Sequence, residues 1–213
     1  MKLLSINVGL PREVDYRGTA VTTGIFKVPV GGRVRLATHN LDGDRQADLR
    51  VHGGIWKAVY AYPFEHYSYW AQALGCDGFP YGQFGENFTT TGLLEDDVGI
   101  GDVFQIGEAR VQVTQPRSPC FKLGLRMGDE NFPAQFTAAN RTGFYLRVLT
   151  EGMVQAGDSI QRIERASGSM TVRDVFRLRH GEGGTREEYI HAARLPGLAP
   201  SWRAAFEKRL AEG

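Results

Sequence analysis

DVFQIGEARVQVTQPRSPCFKL, residues 102–123, sets two short apolar-rich runs on either side of Gly107, then breaks into a loop whose two prolines lead to Cys120. The second run, ARVQVTQ, alternates apolar and polar residues, so one face can turn inward and the other outward, as in a half-buried β-strand. Comparable runs of four to eight residues recur along the chain: KLLSINV at 2–8, GIFKV at 24–28, RVRLA at 33–37, AVYAY at 58–62, FYLRVLT at 144–150 and SIQRIER at 159–165. Glycine-rich turns separate them, and the chain holds 27 glycines. This spacing predicts a closed or partly closed antiparallel barrel over residues 1–165 rather than βαβ units. At least one helix is expected inside it. PFEHYSYWAQALG, residues 63–75, has Pro63 at a first turn, Phe64, Tyr67, Ala71 and Leu74 on one face, and Gly75 as a stop.

The texture changes after about residue 170. Thr171 precedes Asp174 by three residues, and Thr185 precedes Glu188 by three, the spacing of helix caps and capping boxes. Trp202, Ala205, Phe206 and Leu210 then recur at helical spacing. Residues 170–213 are therefore expected to form a small C-terminal unit of three helices, and the whole chain to be mainly β with some α.

Composition narrows the function. The chain has 213 residues, and its 25 basic and 24 acidic residues leave a formal net charge of +1. No global field favours a nucleic-acid polymer or a membrane as partner, so any anion site must be local. No run approaches the length of a membrane span, and the N-terminus lacks a cleavage pattern; the expected location is cytoplasmic. The two cysteines, Cys76 and Cys120, are too few and too far apart for a structural zinc cluster or a chain-provided Fe–S centre.

Three stretches carry candidate chemistry. In QPRSPCFKL, Pro116 and Pro119 stiffen the backbone, while Arg117 and Lys122 bring positive charge toward Cys120 and favour its thiolate. A thiolate is a nucleophile or a soft-metal ligand; the bland alternative is an inert buried thiol. Cys76 has no such setting. In LDGDRQADLRVHGGIWKAV, residues 41–59, Arg50 and His52 beside Gly53 and Gly54 could complement an anion, or could be an ordinary turn. In GQFGENFTTTG, residues 82–92, Asn87 could read a ring edge or serve turn chemistry. GEGGT at 181–185 lacks the spacing of a phosphate loop.

Taken together, GDRQADLRVHGG at 43–54, FGENFTTTGL at 84–93 running on to QPRSPC at 115–120, and the C-terminal helical unit resemble the MOSC domain proteins, specifically the bacterial YiiM subfamily. The name comes from the C-terminal domain of molybdenum cofactor sulfurase. The resemblance implies a β-barrel that binds the molybdenum cofactor, a pterin dithiolene carrying a phosphate, with one cysteine as metal ligand. Cys120 matches that ligand and would be both metal-binding and catalytic. Arg50, His52, Asn87, Arg117 and Lys122 are the candidates for holding the anionic cofactor, with Tyr145 or Asp44 as proton relays. Related reductases remove oxygen from N-hydroxylated compounds such as 6-hydroxylaminopurine. With no Fe–S site and no flavin or nicotinamide fingerprint, the chain would need a separate electron-donating reductase as partner. A cofactor or sulfur carrier without turnover is the alternative.

Overall fold

The structure is a computed structural model that describes residues 1–47, 53–181 and 183–212. Twelve strands appear in chain order: β1 (Lys2–Val8), β2 (Arg12–Tyr16), β3 (Thr19–Thr23), β4 (Val28–Val30), β5 (Arg33–Leu36), β6 (Val59–Pro63), β7 (Phe88–Thr91), β8 (Val103–Ile106), β9 (Ala109–Pro116), β10 (Phe144–Thr150), β11 (Gly152–Gln155) and β12 (Ile160–Glu164). Six α-helices accompany them: α1 (Glu65–Leu74), α2 (Phe121–Met127), α3 (Phe132–Ala139), α4 (Val172–His180), α5 (Arg186–Arg194) and α6 (Pro200–Glu212). A short 3₁₀ turn, Ile55–Lys57, precedes β6.

Eight strands form one sheet in the order β12-β8-β9-β10-β6-β7-β1-β4, with β11-β5 and β2-β3 as separate pairs. Among the described residues the ladder does not close into a barrel. Strand β1 divides its outer edge: Ile6, Asn7 and Val8 pair with β4, while its start bonds to the turn before β12. There Leu3 N–H donates to Asp158 O at 3.0 Å and Ile160 N–H to Met1 O at 3.0 Å. The sheet curls back on itself at that corner through a few bonds instead of a full strand pair.

Three expectations need correction. Strands β6 and β7 pair in parallel, Ala61 opposite Phe88, with α1 in the crossover, so the fold contains a βαβ unit. Pro63 closes β6 instead of opening α1, and the helix buries His66, Tyr67 and Trp70 while Phe64 and Leu74 stay exposed. Trp70 sets that rotation by packing on Phe132 and Phe136 of α3, ring centroids 4.8 and 5.4 Å away. In GIFKV, only Val28 enters a strand. Residues 24–27 form a loop that turns Lys27 inward to a buried carboxylate.

The C-terminal helices begin where the caps predict. Thr171 Oγ1 accepts the Asp174 N–H at 3.1 Å, and Thr185 with Glu188 forms a full capping box. Val175, Phe176, Trp202 and Phe206 of these helices join Phe104, Val111 and Val113 of the sheet in one continuous apolar core. A second, aromatic cluster built on Tyr62, Trp70, Phe84, Phe132 and Phe136 lies among β6, α1 and α3.

Candidate functional site

Strand β9 leaves the sheet at Pro116, and the next four residues deliver Cys120 to the start of α2. The departure is pinned by a relay. Glu95 Oε1 accepts the Gly143 N–H at 2.7 Å, and Gly143 O accepts the Arg117 N–H at 3.1 Å. Gly143 has φ +66°, and a Cβ there would lie 2.4 Å from Ala61 O, so only glycine fits. One residue on from Arg117, Ser118 Oγ lies 2.7 Å from His180 Nε2, tying the loop to α4.

Cys120 is half-buried and lies where two cavities meet. The first is a cleft of about 100 Å³ with Lys27, Arg45, Lys57, Arg117 and Lys122 in its walls and Asp44 as its carboxylate. The second, of about 520 Å³, runs from Cys120 to α6. Ser118, Lys57 and Tyr145 line both.

Arg117 is the unusual member. It is 5% exposed, its guanidinium lies 4.8 Å from the Tyr60 ring centroid and 5.4 Å from that of Phe136, and its Nη1 has no hydrogen-bond partner among the described residues. Cation–π contacts offset part of the burial cost, but a buried cation normally also finds an acceptor. Burial raises the pKa of Tyr145, which therefore keeps its hydroxyl proton at neutral pH. Lys57 is pushed down by burial and by the charge of Arg179, and drawn up by Cys120.

Asn87 lines the cleft but does not offer a free edge for reading a ring. Its Oδ1 accepts the Tyr60 N–H at 3.1 Å, and its Nδ2 donates to Asn7 O at 3.3 Å and to Asp44 Oδ2 at 2.9 Å. Asp44 is committed as well. Its Oδ1 takes the Gly9 N–H at 2.9 Å and the Lys27 ammonium, so the carboxylate is a clamp instead of a proton relay. Lys122 is half-buried in the cleft wall, and its ammonium makes no hydrogen bond among the described residues. Arg50 and His52 lie outside the described residues. Cys76 is exposed, whereas its plain setting points to an inert buried thiol; it follows the end of α1 at the surface.

Sequence reading missed Lys27, Lys57 and Arg179 as neighbours of the site. Lys57 sits in the quoted GGIWKAV, yet only the 3₁₀ turn carries it to Cys120.

The MOSC domain matches residues 48–161, more than half of the chain, and the YiiM-like 3-alpha helix domain matches residues 170–213. The chain belongs to the MOSC domain family. Protein YflK of Bacillus subtilis is 40% identical over 97% of this chain and 93% of its own length. Protein YiiM of Escherichia coli is 34% identical over 90% and 86% respectively. A Gibberella moniliformis protein named "Reductase" is 32% identical over 83% of this chain, which spans 32% of that longer protein. The crystal structure of YiiM from Geobacillus stearothermophilus superposes with a TM-score of 0.83 at 36% identity, covering 98% of both chains. MOSC domains are in general molybdenum cofactor-binding domains. Among the described residues no helix of this family member is long and apolar enough to cross a membrane.

The residues present fit such a cofactor. A buried guanidinium with one unpaired nitrogen and a cluster of lysines suit an anion, and the cysteine supplies a soft sulfur ligand. No group of three or more His, Cys, Asp or Glu that could hold a metal ion occurs among the described residues.

Proposed function

We propose that the chain binds the molybdenum cofactor through the Cys120 sulfur and reduces N-hydroxylated bases, 6-hydroxylaminopurine among them, to amines. The observation that carries this reading is Arg117, a buried cation with an unpaired nitrogen in the same cleft as Cys120. The relative named "Reductase" supports the reaction class.

Bound there, the cofactor would supply a two-electron reduction of the N–O bond: R–NHOH with two electrons and two protons gives R–NH₂ and water. The electrons come from a separate reductase protein, in the cytoplasm. Cys120 anchors the metal, and Arg117, Lys57 and Lys122 neutralise the cofactor's negative charge. Asp44 and Asn87 hold Lys27 and the cleft floor in place. Tyr145, which keeps its proton and lines the cleft with Cys120, would hold a proton for the reaction.

The test is molybdenum and pterin content of protein made in a host that synthesises the cofactor, with Cys120→Ala alongside. Near-stoichiometric metal, lost in the variant, and reduction of 6-hydroxylaminopurine with an added reductase are expected. A Cys120→Ala protein that keeps its metal and activity overturns the reading. A persulfide on Cys120 without molybdenum would favour sulfur transfer.

A further inference from the structure

Residues 10–26 leave the sheet after β1, form the β2–β3 hairpin and return just before β4. Strands β2 and β3 pair with each other, and among the described residues with no other strand. A lone two-stranded ribbon is marginal in water, so what ties it to the molecule decides its position. Both ends are pinned to one oxygen. Gly9 N–H donates to Asp44 Oδ1 at 2.9 Å, and the Lys27 ammonium pairs with the same atom. Between these pins, among the described residues, the hydrogen bonds from residues 10–26 to the rest of the chain are those of Arg17 with Glu130, a solvent-exposed pair of a kind that contributes little. The other holds are apolar or ring contacts. Tyr16 rests on Phe121 with centroids 4.9 Å apart, Arg126 lies 5.4 Å over Phe26, and Ile25 packs on the aromatic cluster.

This segment bears directly on the site. Thr23, Gly24 and Ile25 form part of the wall of the cationic cleft, and Phe121, under the tip, is the residue after Cys120. The cleft measures about 100 Å³, whereas sites that enclose a drug-sized molecule run to about 300–1,000 Å³. A pterin carrying a phosphate therefore needs a wall to move. Tyr60 and Asn87 cannot yield, since each bonds the other's backbone from within the core.

We propose that residues 10–26 are a flap, pinned at Asp44 and latched by Tyr16 on Phe121, that swings out to load the cationic cleft and closes over its occupant. The proposal rests on the cofactor reading and deepens it by assigning the way in. Swinging breaks ring contacts and one surface ion pair but no ladder bond to the sheet, and such loosely held segments are the ones that open locally. The latch sits beside Cys120, so an occupant held there would steady the flap in its closed position.

The experiment follows a single thiol. Thr23 is 1% exposed and lines the cleft, so Thr23→Cys in a Cys76→Ser, Cys120→Ser chain reports opening through its rate of reaction with a maleimide. In cofactor-free protein that thiol should react at least a hundredfold faster than the molecule unfolds. Adding Tyr16→Ala should speed it about tenfold further, with the exchange of β9 amides unchanged. In loaded protein that retains Cys120, Tyr16→Ala should release pterin about tenfold faster than wild type. A tyrosine that only stabilises the fold would instead speed the β9 amides as much as the thiol. Labelling no faster than unfolding, labelling indifferent to Tyr16→Ala, or pterin release indifferent to it overturns the flap. Labelling that Tyr16 controls, in a protein that takes up neither molybdenum nor pterin, would support the flap and refute the cofactor reading alone.

Discussion

Ser118 Oγ and His180 Nε2 lie 2.7 Å apart, so the loop that carries Cys120 is moored to the last residue of α4. The His180 ring packs between Phe176 and Trp202, centroids 4.7 and 5.8 Å away. Burial, and then the adjacent Arg179 charge, draw its pKa down to about 4. The unfolded chain takes up this proton near pH 6.5, whereas the folded chain resists until about 4. The stability tied to the neutral ring is therefore complete above 6.5 and disappears as pH falls across that window. Thermal midpoints of wild type should drop more steeply between pH 7 and 4 than those of His180→Gln, which has no ring to titrate.

Replacing Arg117 by Met separates binding from folding. Removing a buried guanidinium with an unpaired nitrogen should leave the midpoint of cofactor-free protein unchanged or slightly raised. Molybdenum and pterin content should fall at least tenfold. A variant with full cofactor content and a large loss of stability would show that the guanidinium is structural.

Asp44→Ala acts in the opposite sense. It strands the Lys27 ammonium, which is buried and already depressed in pKa by its burial. Breaking such a pair costs about 3 to 5 kcal/mol, readable as a shift in urea midpoint. Pairing it with Lys27→Met should restore much of the loss.

Gly143→Ala should disable the site from beneath. The added methyl meets Ala61 O at 2.4 Å and the Tyr60 and Tyr62 rings at 2.9 Å, at a φ of +66°. The shift needed to relieve this breaks the Glu95–Gly143–Arg117 relay. Expected outcomes are a thermal midpoint lowered by several degrees and loss of cofactor in whatever remains folded.

What the sequence displayed was local. Caps at Thr171 and Thr185 announce themselves because the partner is three residues away, and ARVQVTQ reads as a strand because its alternation lies in adjacent residues. Cys120 was visible through its prolines and cationic neighbours. Hidden were features made by distance. The parallel pairing of β6 with β7 depends on register across a crossover, and Lys27 meets Asp44 only after residues 24–27 leave the strand pattern. Asn87 misled for the same reason, since its amide is spent on Asn7, Tyr60 and Asp44, none of them a sequence neighbour. Gln115 reads as one more polar residue in an alternating strand until its burial is known.

The apolar core that passes without a break from Phe104 and Val113 to Phe176, Trp202 and Phe206 has a consequence for how the molecule comes apart. Neither the sheet nor the helices can open without uncovering the other's interior, so the slowest-exchanging amides of β9 and α4 should open at a common rate. Deleting the helices would amount to removing half of a shared interior, and the remainder should aggregate instead of persisting as a smaller working protein.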